Sequence, residues 1–287
     1  MRKTTNPLIL LKTTIHTIYQ NPVILYPTII LAFVQFLVLE ILYFAPRSPL
    51  SIFFGPLISH IWSEDFLHYP LDLILLPKLF YYAQIMVYLF GGALLLAVTT
   101  HIVVTLNNNH RANLRHSLKE AGRFYLQILF ASILSLLLFQ MSSSVYSTMI
   151  QAVLKIKTTN ASVVTFQKIF LWATPYIQFF IGILITTLLI YVVPIIIIEK
   201  KKFLKALGLN LNVLFRSFNT SFCVVLLPTL FYLPILVARN NIESLSNATV
   251  PEIQIFIIVL GVLVTMAIDL IILTTITTHY LFLKEDA

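Results

Sequence analysis

The sequence predicts an all-α, polytopic transmembrane helical bundle of six spans, and three observations predict it. Of 287 residues, 59% are hydrophobic and only 10% are charged. The apolar residues gather into six runs, most of them long enough to cross the roughly 30 Å hydrocarbon core of a bilayer as helix. Lysine and arginine collect in alternate connections between those runs. A soluble domain carries about a quarter charged residues, and a chain of this size could not hide so much apolar surface from water. In hydrocarbon every backbone amide must be paired internally, which makes each run a helix.

The runs are read as Val23–Phe44, Tyr81–Leu106, Phe124–Met149, Ile169–Ile198, Phe222–Val237 and Ile253–Phe282. Pro175 and Pro194 in the fourth, and Pro228 and Pro234 in the fifth, predict bends or breaks. Leu71–Phe80 is apolar but short and contains Pro77, so it is expected to lie at the interface or re-enter. Leu8–Leu11 is too short for the apolar core of a cleaved signal, and Lys12 interrupts it, so the first span is expected to act as an uncleaved anchor. Cys223 is the single cysteine and falls in an apolar run, where a thiol packs as a small hydrophobe.

Charge orients the bundle. The segments before span one, between spans two and three, between spans four and five, and after span six hold thirteen Lys and Arg; the other side holds six. The positive-inside rule places the richer side, with both termini, in the cytoplasm. Lys155, Lys157 and Lys168 in the middle external loop run against that bias. The formal net charge is +8, carried in short runs beside the spans. That pattern points to anionic lipid headgroups rather than nucleic acid.

Three internal segments share an amphipathic design. Leu8, Leu11, Ile15, Ile18 and Tyr19 fall on one helical face of the first. Leu114, Leu118, Ala121 and Tyr125 do so in the second, and Phe203, Leu207, Leu211, Leu214, Phe215 and Phe218 in the third. Basic residues fall mainly on the other side, which describes a helix lying in the headgroup plane. The headgroup-binding candidates are Lys200, Lys201, Lys202, Lys205, Arg111, Arg115 and Lys119. The chain therefore reads as one membrane domain of three units, 1–106, 107–199 and 200–287, each a basic surface helix followed by a hairpin of spans. Thr99-Thr100-His101 and Thr277-Thr278-His279 close two of the units, by duplication or by chance. Asn160-Ala161-Ser162 and Asn247-Ala248-Thr249 match a glycosylation sequon, which matters only in a eukaryotic secretory pathway.

Asp269 is the principal candidate for chemistry. It falls in the middle of span six, where a carboxylate costs several kcal/mol unless paired, protonated or hydrated. It is either a proton or substrate site facing the interior or a structural hydrogen-bond partner. His101 is its candidate partner on the expected topology. Gln35, Gln84, Gln127, Gln140 and Gln178 suggest a partly polar interior, and Gly91-Gly92-Ala93 is read as a point of close helix approach. No phosphate-binding glycine loop, HExxH or GxSxG motif occurs. No metal-ligand spacing occurs either, so no enzyme, metal or cofactor is expected.

Pro194-Ile-Ile-Ile-Ile-Glu199, followed by Lys200-Lys-Lys-Phe-Leu-Lys-Ala206-Leu207, resembles a pattern in uncharacterised bacterial membrane proteins. So does the opening NPLILLKTTIHTIYQNPVILYP. The family is similar to the membrane domain fused to some glycerophosphodiester phosphodiesterases, and to its stand-alone relatives. The chain departs from it at Asn210, where relatives commonly carry Ser. The resemblance implies six spans in a bacterial inner membrane, and no phosphodiesterase residue carries over. In physical terms Pro194 is expected to end regular helix, and Glu199 to cap the positive N-terminus of the next helix. The expected role is non-enzymatic organisation of lipid or membrane partner proteins; the rival is a transporter or lipid-translocating permease using Asp269.

Overall fold

The computed structural model describes residues 6–69, 71–108, 110–156, 161–242, 244–245 and 250–285. Arg2, Lys3, Lys157 and the two sequon asparagines, Asn160 and Asn247, lie outside them. All regular structure among the described residues is helical, and six stretches are long and apolar enough to cross a membrane.

Helix α1 (Pro7–Gln20) starts where the Asn6 side chain accepts a hydrogen bond from the Leu8 amide at 3.0 Å, with Pro7 in the first position. That satisfies an orphan donor and uses a residue whose missing N–H costs nothing there. A tight turn over Pro22–Ile24 leads into α2 (Leu25–Phe44), the first span. A short apolar helix α3 (Ser51–Ile61) follows.

The second span is longer than the sequence suggests. Helix α4 (Leu71–Val87), a widened turn over Tyr88–Gly92, and α5 (Ala93–Asn107) form one continuous stretch of 37 residues. Leu71–Phe80 is thus the far end of span two, neither a separate interfacial segment nor a re-entrant one. Pro77 removes only one backbone donor near the start of the helix. Asp72 closes that start, accepting from the Leu73 amide at 2.8 Å and pairing with Arg47 at 3.7 Å.

Helix α6 (Leu114–Arg123) is capped by Asn113, whose side chain accepts from the Arg115 amide at 2.9 Å. The third span, α7 (Tyr125–Lys155), is the least buried and packs chiefly on its hairpin partner α8 (Ala161–Leu189). Span four continues past α8 through a break at Ile190–Tyr191 into α9 (Val192–Glu199). Pro194 does not end the helix, as expected, but interrupts it one turn earlier. Its nitrogen cannot donate to the Ile190 carbonyl, and its ring crowds that group. The chain turns at Lys200, the one non-glycine residue among those described with a left-handed φ, 54°.

Helix α10 (Phe203–Thr229) joins the third basic segment to the fifth span, with a kink at Ser217 (φ −130°, ψ 24°) marking where one becomes the other. A turn at Leu230–Tyr232 and α11 (Leu233–Asn240) complete that span; α12 (Ile253–Glu285) is the sixth.

The basic segments α1, α6 and the first half of α10 belong to one end of the bundle, as alternation of the spans requires. Each presents an i, i+4 row to it: Leu10 and Thr14; Ser117 and Ala121; Ala206, Asn210 and Leu214. Residues four apart share a helix face. The main core lies at this end, built on Ala97, Ile102, Ile195, Ile196, Val224 and Ile276. A second core, with Leu39, Leu76, Phe80 and Val262, joins spans one, two and six toward the other end.

Candidate functional site

Two interior polar clusters and one basic surface are the candidates. The first cluster grows from the break in span four. Asn210 reaches across from α10 and repairs the break: its Oδ1 accepts from the Tyr191 amide at 3.0 Å, and its Nδ2 donates to the Leu188 carbonyl at 2.7 Å. The ring of Tyr191 then points into the bundle. Its hydroxyl lies 2.6 Å from Ser221 Oγ, 2.8 Å from His279 Nδ1 and 3.2 Å from Ser217 Oγ. Tyr191, Asn210, Ser221 and His279 are all buried. Each serine donates to a backbone carbonyl, Ser217 to Val213 and Ser221 to Ser217. The Tyr191 hydroxyl is thus shared among Ser217, Ser221 and His279, joining spans four, five and six. Tyr191 stands between the serines and His279, and among the described residues no direct serine–histidine hydrogen bond forms here.

Beside it, the Tyr280 hydroxyl donates to Glu199. Glu199 therefore does not cap α10; the residue preceding that helix, Lys202, makes no side-chain cap bond. An aromatic hydroxyl from span six reached the carboxylate first, a tertiary contact that local spacing does not reveal.

The second cluster surrounds Asp269. Its Oδ2 accepts from the Tyr88 hydroxyl at 3.2 Å. Tyr88 sits in the widened turn of span two, and Gly92 gives it room: a Cβ at that glycine would come within 3.1 Å of Tyr88 Cδ1. The glycine serves its own helix, not the close helix approach read from sequence. The buried Gln35 accepts from Gln84 Nε2 at 3.1 Å. A crevice with about 10 Å³ of water-sized space, bounded by Thr28, Thr99 and Asp269, lies among spans one, two and six. That is about room for one water.

His101 belongs to neither cluster. Its Nδ1 lies 3.0 Å from Ser117 Oγ on α6, with Thr105 and the His116 ring beside it. The Asp269–His101 pair expected from sequence is not formed: each has a different partner. The two Thr-Thr-His triplets nonetheless end alike, each histidine bonded through Nδ1 to a hydroxyl on another element.

At the basic end, Lys200, Lys201, Lys202, Lys205, Arg111, Arg115 and Lys119 are all exposed, and none makes an ion pair among the described residues. Large apolar side chains stand exposed beside them, Leu204 at 76% and Phe215 at 80%. The apolar flank of α10 thus faces outward, while the row buried against the bundle is offset from it. Among the described residues no group of three His, Cys, Asp or Glu could hold a metal ion.

Sequence reasoning named Asp269, His101 and Asn210 but not Tyr191, Ser217 or Ser221. Their only signal was position, a tyrosine just before Pro194 and serines at the join of the third basic segment with span five.

Set against known protein families, curated proteins and solved structures, the chain matches none. Fold and clusters together define an integral membrane protein with six candidate spans.

Proposed function

We propose that the protein is a non-enzymatic organiser of anionic lipid, and of membrane proteins that gather with it, on one face of a bacterial inner membrane. The termini and basic helices are then cytoplasmic, as the positive-inside rule prescribes. The observation that carries this reading is the exposure of seven cations that make no ion pair among the described residues, together with exposed Leu204 and Phe215 on α10. Basic side chains near a charged leaflet contribute about 1 kcal/mol each, and apolar neighbours add burial among the acyl chains. The resemblance of the Pro194–Leu207 segment to bacterial inner-membrane proteins points the same way.

The test is lipid selectivity in vesicles. With spin-labelled phosphatidylglycerol, the Lys200→Glu, Lys201→Glu, Lys202→Glu, Lys205→Glu variant is expected to immobilise less lipid than the unaltered chain. Equal immobilisation at low salt removes the proposal.

A second reading, a transporter or lipid-translocating permease, draws on one observation: Asp269, Tyr88 and the Gln35–Gln84 pair place polar groups between spans one, two and six. Proton-coupled uptake in proteoliposomes that is lost in Asp269→Asn supports it; uptake that survives the substitution excludes that carboxylate.

A further inference from the structure

The end of the bundle opposite the basic helices holds a groove of about 560 Å³ between α4, α11 and α12. Lys78 and Arg239 line it together with Gln84 and Gln254, and Phe80 and Ile257 contribute apolar wall. Among the described residues, none that lines it is acidic. Of the nearby carboxylates, Asp72 pairs with Arg47, and Glu252 interacts with Tyr69. Among the described residues neither Lys78 nor Arg239 makes an ion pair. The Lys78 ammonium is 5.9 Å from the centre of the Trp62 ring, an arrangement that leaves its hydrogens available.

Arg239 does not extend freely from the end of its helix. A Cβ at Gly261 would stand 3.4 Å from Arg239 Nη2, so the guanidinium lies against the bare backbone of α12. Gly261 is about two turns into that helix. Two cations thus stand beside apolar wall with no ion-pair partner among the described residues, and an anionic ligand complements them. Guanidinium engages phosphate through paired hydrogen bonds. The volume falls within the roughly 300–1,000 Å³ of small-molecule sites.

We propose that this groove binds an anionic phospholipid. Its phosphate meets Arg239 and Lys78, the glutamine amides bond its glycerol and ester oxygens, and an acyl chain lies along Phe80 and Ile257. The inference is independent of the basic face at the other end.

The probe is phosphatidylglycerol carrying a photoreactive acyl chain, in nanodiscs, with the labelled peptides mapped by mass spectrometry. Label is expected on peptides of α4 and α12, and phosphatidylcholine carrying the same chain is expected to label them about tenfold less. Lys78→Gln with Arg239→Gln is expected to cut the phosphatidylglycerol signal about tenfold, while Lys200→Glu with Lys201→Glu leaves it unchanged. Ile257→Trp fills the groove with both cations intact and is expected to abolish the signal, which keeps the test decisive if the double variant fails to fold. Equal labelling by the two lipids, or undiminished labelling in Ile257→Trp, overturns the proposal. Labelling competed away by millimolar inorganic phosphate also overturns it, since the site is then one for a soluble anion.

Discussion

Asn210 completes the backbone of a helix to which it does not belong: its carboxamide accepts from the Tyr191 amide at 3.0 Å and donates to the Leu188 carbonyl at 2.7 Å. Pro194 opens this gap by withdrawing a donor from the Ile190 carbonyl. In water the freed groups would be solvated. In a bundle they need a protein partner, and Asn supplies both a donor and an acceptor. The repair also fixes Tyr191, and with it the contacts of spans four, five and six.

Asn210→Leu is therefore expected to destabilise the protein by about 2–4 kcal/mol, since two buried backbone groups lose their partner at once. Asn210→Ser can reach only one group and is expected to cost about half as much. Unfolding in mixed detergent micelles measures both. A loss in Asn210→Leu no larger than in a surface substitution would show that the break is held by packing alone.

The difference between what was legible and what was not follows the range of the interactions. Spans declare themselves through runs of apolar residues, because each run is solvated by acyl chains independently of its neighbours. The surface helices declare themselves through a 3.6-residue period, also a local property. Asp269 stood out because a charge in such a run is costly wherever the run lies. Its partner did not, since Tyr88 is one of 13 tyrosines and only tertiary packing selects it. His101 was matched to Asp269 on depth alone, and depth does not say which face of a helix a side chain occupies. Glu199 failed for a related reason: its proximity to α10 in sequence counted for less than contact with Tyr280.

Tyr191 and His279 are expected to be coupled. Tyr191→Phe leaves Ser221 and His279 without a shared hydroxyl, and His279→Phe removes one of those partners. A double-mutant cycle on unfolding free energy is expected to give an interaction of about 0.5–1.5 kcal/mol, in the upper range for hydrogen bonds between membrane helices. A value indistinguishable from zero would mean that the 2.8 Å contact contributes no net stability.

Gly92 is expected to resist enlargement where Gly91 does not. A Cβ at Gly91 meets nothing within 4 Å, whereas one at Gly92 lies 3.1 Å from the Tyr88 ring. Gly92→Val is expected to displace that ring and cost about 1–3 kcal/mol, as overpacking does; Gly91→Val is expected to cost less than Gly92→Val. Tyr88→Ala should relieve the strain, so Gly92→Val is less damaging in that background. Equal costs in both backgrounds would place the strain elsewhere.

Asp269 is expected to couple to Tyr88 and not to His101. The Tyr88 hydroxyl is the hydrogen-bond partner of Asp269, at 3.2 Å, while His101 is engaged by Ser117 at 3.0 Å. Distant sites without shared partners add within about 0.3–0.5 kcal/mol, whereas residues in one hydrogen-bond network depart from additivity by about 0.5 kcal/mol or more. Two cycles on unfolding free energy separate the cases: Asp269→Asn with Tyr88→Phe, and Asp269→Asn with His101→Asn. Asparagine retains an acceptor for Tyr88, so the first cycle is repeated with Asp269→Leu, which removes it and is expected to enlarge the interaction. Non-additivity with His101 instead of Tyr88 would mean that the histidine side chain leaves Ser117 and reaches across the bundle to the carboxylate.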